Sequence, residues 1–205
     1  MGIPKSTLSE WLKTSGWSAK VKRTLIQKAK RGHKIRLQEL NSIRGQHLIR
    51  LYQQARHEAE DEFKDFKFHP AFISGVVIYW GEGERTSRNL IRVANTDPLM
   101  IRLFVNFLQE VCGVPKGKIR AHILLYPDLN SMECKNFWVQ QSSLPLENFN
   151  KSVLIEGRHK TRRLPYGVCY ITVCSTYLKQ KMDVWLTLLP KELIKKEYYA
   201  GVVQR

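Results

Sequence analysis

Phe68-His69-Pro70-Ala71-Phe72-Ile73-Ser74-Gly75-Val76-Val77-Ile78-Tyr79-Trp80-Gly81-Glu82-Gly83 is the stretch whose reading decides the fold. Pro70 suits the first turn of a helix, where its missing N–H has no partner to lose, and the glycines around Glu82 suit a stop. On a helix from Pro70, the residues Ala71, Ser74, Gly75, Ile78, Gly81 and Glu82 share one face, and five of these six are not bulky hydrophobes. The opposite face carries Phe72, Ile73, Val76, Tyr79 and Trp80, enough apolar surface to bury against a sheet. Small side chains let two helix axes come close, so Ala71, Ser74, Gly75 and Ile78 are expected to form a seam with the same helix of a second copy, with Glu82 at its end.

Downstream, the pattern alternates strand and helix. A basic hairpin region (Arg85 to Asn95, with Leu90–Ala94 as strand) precedes a helix from Pro98, capped by Asp97 and ended at Gly113. A strand from Lys118 to Leu125, a helix from about Ser131 to Gln141, a basic turn at 158–163, a strand at Val168–Val173 and a helix from about Thr176 follow. The expected class is α+β, with helices on one face of an antiparallel sheet.

Upstream, Leu48, Tyr52, Ala55, Ala59, Phe63 and Phe66 recur at steps of four and three, a helix with one apolar seam. That seam packs either on the following domain or against another subunit. Residues 18–44 are basic and only weakly periodic around Gly32, and read as a solvated helical face or a phosphate-contacting arm. At the start, Leu8, Trp11 and Leu12 lie at helical spacing after Pro4 and a polar cap at Lys5-Ser6. Two domains are expected, 1–66 and 67–205.

Composition points to a polyanionic partner. The 205 residues hold 34 Lys and Arg against 18 Asp and Glu, a formal charge of +16. Residues 1–60 carry 13 basic and 4 acidic side chains, so the N-terminal part is the more basic per residue. Such self-repulsion is relieved by nucleic acid. No apolar run approaches the length of a membrane span and no leader pattern is present, so a cytoplasmic protein is expected. Cys112, Cys134, Cys169 and Cys174 lack the paired spacing of a zinc site and read as buried thiols, and none of the six histidines stands at a ligand spacing.

Ile73 to Gly83, followed by Asn95-Thr96-Asp97-Pro98 and a helix, resembles the LAGLIDADG proteins, the homing-endonuclease type. It is more similar still to helix-turn-helix proteins carrying a Tyr-Trp-x-Glu-Gly motif. The likeness covers roughly residues 67–190. It implies an αββαββα unit whose curved antiparallel sheet sits astride double-stranded DNA, with paired motif helices ending in acids that hold divalent metal. If Glu82 is aligned with the family's acid, it is the candidate catalytic and Mg²⁺-binding residue; if Gly75 is aligned with the central glycine, Trp80 falls at the acid and no carboxylate remains. Residues 2–12 resemble the second helix of a helix-turn-helix whose first helix is missing, either a working reader through Lys5, Ser6 and Thr7 or a vestige.

The candidate DNA contacts in the second domain are Arg85, Arg88, Arg92, Lys118, Arg120, His122 and the turn residues Arg158, His159, Lys160, Arg162 and Arg163. Arg92 is expected to project opposite Ile91 and Val93, and Lys118, Arg120 and His122 opposite Ile119 and Ala121. A two-stranded ribbon of this kind fits the major groove, and a merely solvated sheet face is the competing reading. The function expected is a homodimeric, sequence-selective, regulator-like DNA-binding protein that needs no cofactor to bind. The alternative is a Mg²⁺-dependent homing-type endonuclease, and an RNA-binding protein rests on charge alone.

Overall fold

The computed structural model describes residues 2–13, 15–155 and 164–194. It divides into two compact units, Met1–Arg50 and Leu51–Arg205. The second unit thus starts before the boundary expected at residue 67, because the end of the long helix supplies core.

Helices α1 (Lys5–Leu12) and α2 (Gly16–Phe66) come first. In the first unit, α1 buries no residue, and its N-cap is Pro4 with no side-chain cap, so the polar cap expected at Lys5-Ser6 does not form. Helix α2 continues through Gly32 without a break, since one exposed glycine costs only about 1 kcal/mol against the many bonds around it.

In the second unit, the α2 seam has one occupant. Ala55 and Ala59 are fully buried and Phe63 nearly so; Ala59 and Phe63 belong to the core with helix α6 (Thr176–Leu193) and helix α3 (Pro70–Glu82). The Trp185 indole N–H donates to the Ala59 carbonyl at 3.0 Å, Lys67 pairs with Glu192 at 2.7 Å, and Lys181 pairs with Glu62 and Glu58. Ala at 59 lets the Trp185 side chain of α6 approach the α2 backbone. From Ala55 to Phe66, then, the seam is intramolecular.

The sheet has four strands in the order β1-β4-β2-β3: β1 (Leu90–Asn95), β2 (Arg120–Leu125), β3 (Val153–Leu154) and β4 (Val168–Cys174). The expected all-antiparallel sheet is corrected here. β4 pairs antiparallel with β1 and β2, but β3 pairs parallel with β2, because helix α5 (Ser131–Ser142) lies between them and returns the chain to the same end. The order α3, β1, α4 (Pro98–Asn106), β2, α5, β3, β4, α6 also differs from αββαββα. The hairpin expected after α3 is reduced to one bridge between Gly83 and Val93.

The cap expected at Asp97 forms, and Asn130 adds one that was not expected. The Asp97 carboxylate accepts from the N–H of Leu99 and Met100, and Asn130 accepts from Met132 and Glu133 at the start of α5. Helix α4 runs into a π-turn, Phe107–Val111, ahead of Gly113, so the stop is where expected although the last turn is wide. Among the cysteines, Cys134 and Cys169 are buried and Cys112 half-buried, but Cys174 is exposed at the end of β4.

The core lies between one face of the sheet and the helices. Ile91 and Val93, Ala121, Ile123 and Leu125, and Cys169, Ile171 and Val173 point to it from β1, β2 and β4. Helix α3 adds Phe72, Gly75, Val76 and Tyr79. The expected apolar face is therefore rotated. Trp80 is 46% exposed, whereas Gly75, expected at an open seam, is buried beneath the Phe107 ring, where a Cβ would stand 2.0 Å from Phe107 Cγ. The close approach at Gly75 is made by this chain's own ring and not by a second copy.

Candidate nucleic-acid interface

The other face of the sheet is not fully buried. Alternation dictates what it shows: Arg92 and Ala94 from β1, Arg120, His122 and Leu124 from β2, and Val168, Tyr170 and Thr172 from β4. Register sorts these into rows. Arg92 and Arg120 both stand opposite Thr172, Ala94 and His122 stand opposite Tyr170, and Leu124 stands opposite Val168. Two guanidinium groups thus flank one threonine, and beside them an imidazole and a phenol ring stack at 4.5 Å with 19° between planes. Strands β1, β2 and β4 contain no Asp or Glu.

The two arginines are held differently. Arg92 reaches Glu84 at 3.4 Å, while its Nε and the Thr172 hydroxyl are buried without a hydrogen-bond partner among the described residues. Unsatisfied buried groups of this kind are costly. Arg120 donates to the Glu147 carbonyl at 3.3 Å. That carbonyl is fixed because the neighbouring Asn148 is buried and donates its amide to Lys116 O at 2.7 Å and Ile119 O at 2.9 Å. Asn148 therefore sets where β2 begins and where Arg120 emerges. Burial, aided by the Arg92 charge, holds the His122 imidazole below its ordinary pKa.

At one corner of this face, α3 ends in a close contact. Gly83 N–H donates to Tyr79 O at 2.9 Å, a Cβ at Gly83 would lie 2.2 Å from that oxygen, and the Tyr79 hydroxyl donates to Glu84 O at 2.6 Å. Burial raises the Tyr79 phenol far above its usual range, with Asp183 and Glu84 adding to it, so it stays a donor. This turn puts Glu82, Gly83 and Glu84 around a depression of about 340 Å³ whose other walls are Arg92, Ala94 and Tyr170.

Mg²⁺ does not fit this donor set well. Glu82 is exposed, but Glu84 is engaged by Arg92 and by the Thr86 hydroxyl at 3.1 Å, and among the described residues no group of three potential ligands gathers. Two-metal cleavage of a phosphodiester needs converging carboxylates. Glu82 of a single chain supplies one.

The expected contacts divide accordingly. Arg92, Arg120 and His122 come together on the open face. Lys118 does not share the strand: it ends a 3-10 turn, Lys116–Lys118, and β2 starts at Arg120. Arg85 and Arg88 are exposed in the turn before β1. Lys5, Ser6 and Thr7 lie on α1 in the first unit. Arg158, His159, Lys160, Arg162 and Arg163 fall outside the described residues. Ala71, Ser74 and Ile78 are half-buried, and the exposed ridge of α3 is Val77, Trp80 and Gly81. Tyr170, Thr172 and Glu84 were not singled out in the sequence. Alternation along Val168–Cys174 gives the face of Tyr170 and Thr172, but only register puts them between Arg92 and Arg120. The chain matches no protein-family model, no curated protein and no solved structure. Among the described residues no helix is long and apolar enough to cross a membrane.

Proposed function

We propose that the protein binds double-stranded DNA through the open face of its sheet, as a sequence-selective, regulator-like binder rather than a nuclease. The observation that carries this reading is the row Arg92–Thr172–Arg120 beside the His122–Tyr170 stack, on strands without an acid. Guanidinium groups recognise phosphate oxygens and guanine edges, often through two hydrogen bonds at once, and a threonine hydroxyl serves either base edges or phosphate.

A LAGLIDADG-like kinship is part of the proposal. It is supported by α3 ending in an acid beside an open sheet face, with the Asp97-capped helix α4 after β1. Homodimerisation is proposed through the ridge Val77, Trp80 and Gly81 with Ser74, not through Gly75. Regulation without cleavage agrees with the single uncommitted carboxylate, Glu82. Retention of duplexes from a random pool, compared for the wild type and Arg120→Ala, tests the proposal: selective retention that the variant loses supports it, and no selective retention removes it.

A further inference from the structure

In the first unit, residues 16–50 of α2 hold ten basic side chains and one acid, Glu39, while residues 51–66 hold two basic side chains and five acids. The helix is thus segmented by charge. Between Lys20 and Arg36 there are eight cations and no acid. At 100° per residue, Lys20, Arg23, Lys28, Lys30, Arg31 and Lys34 fall within an arc of about 160° and span about 21 Å of axis.

All six are exposed, and none makes an ion pair with a described residue. Lys20 and Arg23, Lys28 and Arg31, Arg31 and Lys34, and Lys30 and Lys34 are three or four residues apart, spacings at which like charges repel on a helix. A counter-charged partner of matching length relieves that repulsion. Duplex DNA presents one negative charge per about 1.7 Å of axis, and its major groove admits a helix. A membrane surface suits the helix poorly. Trp17 and Ile35 project within the cationic arc, and the opposite side offers Val21, Leu25, Ala29 and Gly32, so apolar and charged side chains are not segregated as an interfacial helix requires.

We infer that the Lys20–Lys34 face of α2 is a second duplex-DNA site, distinct from the sheet face, that contacts phosphates without regard to sequence. It supplies affinity, and the sheet face supplies selectivity. The charge run itself was visible in the sequence; what the structure adds is one uninterrupted helix in which these cations have no ion-pair partner among the described residues.

The test uses the full chain and a duplex of random sequence. Replacing all six cations with Gln, a helix-compatible residue, should make the slope of log Kobs against log salt shallower by about 5, since each phosphate contact contributes about 0.9. Far-UV circular dichroism checks that helix content is kept. Lys22→Gln with Arg36→Gln, both off the arc, should change the slope by no more than about 0.5. An unchanged slope in the sixfold variant overturns the inference, as does an equal loss per residue in the off-arc pair, or tighter wild-type binding to phosphatidylglycerol vesicles than to the duplex. Selectivity for one sequence, measured separately on Arg120→Ala, reports on the sheet face alone, so either site can fail without the other.

Discussion

The Phe107 ring occupies the space that a side chain at residue 75 would need: a Cβ on Gly75 would come within 2.0 to 2.5 Å of three ring carbons. Phe107 in turn packs edge-on to Phe72 at 6.5 Å and to Trp185 at 6.3 Å, so it cannot withdraw without disturbing the buried aromatic cluster. Gly75→Ala is therefore expected to destabilise the fold by about 1–3 kcal/mol, the usual cost of overpacking. Urea denaturation measures this. A variant that keeps its midpoint but changes its sedimentation would instead put Gly75 at a subunit contact.

Asn148 anchors the entry to β2 with two hydrogen bonds, one buried and one partly so. Asn148→Leu removes both donors, depriving the Ile119 carbonyl of the amide and leaving the Lys116 carbonyl only the Ile119 N–H, a loss of about 1–3 kcal/mol. Because the same turn holds the carbonyl that Arg120 donates to, DNA affinity should fall more than it does in a control of equal stability loss elsewhere. Equal affinities for the two would show that the turn supports the fold alone.

Lys179 is almost fully buried and pairs with Asp183, one turn further along α6. Removing the acid strands a buried charge, whereas removing both charges does not. Asp183→Asn should thus cost more stability, by about 1–3 kcal/mol, than Lys179→Met combined with Asp183→Asn. Chemical denaturation of the two variants decides it, and a double variant less stable than the single one would contradict the account.

The depressed His122 pKa carries a sign for stability and another for binding. Below the ordinary value of 6.5 the unfolded chain takes up a proton that the folded chain resists, so His122 lowers stability as pH falls from there. A bound phosphate reverses that preference. DNA affinity should rise between about pH 7.5 and 5.5 with uptake of a proton, and His122→Gln should flatten the profile. The same pH dependence in His122→Gln would place the proton elsewhere.

Much of the fold was legible because it depends on local rules. Asp97 caps its helix, Pro98 and Ser131 start theirs, and alternation around Ile171 marks β4. What was not legible depends on distant partners. Trp80 is bulky and exposed while Gly75 is small and buried, because the volume beside Gly75 is supplied by a ring 32 positions away. Strand β3 is two exposed residues with no pattern of their own, defined only by pairing with Leu124 and Leu125. The α2 seam read identically for an internal and an external partner, and Trp185 and Lys181 decided it. In the candidate site, the face of Arg92, Arg120 and His122 followed from alternation, but the partners Thr172, Tyr170 and Glu84 required register.

Selection from a random duplex pool, run with Mg²⁺ and with a chelator, tests the central claim most directly. The account predicts enrichment of related sequences to the same extent in both conditions, no cut products, unaltered retention by Glu82→Gln, and loss of enrichment in Arg120→Ala and in Tyr170→Ala. Absence of any enriched sequence, or Mg²⁺-dependent cleavage that Glu82→Gln eliminates, would contradict it.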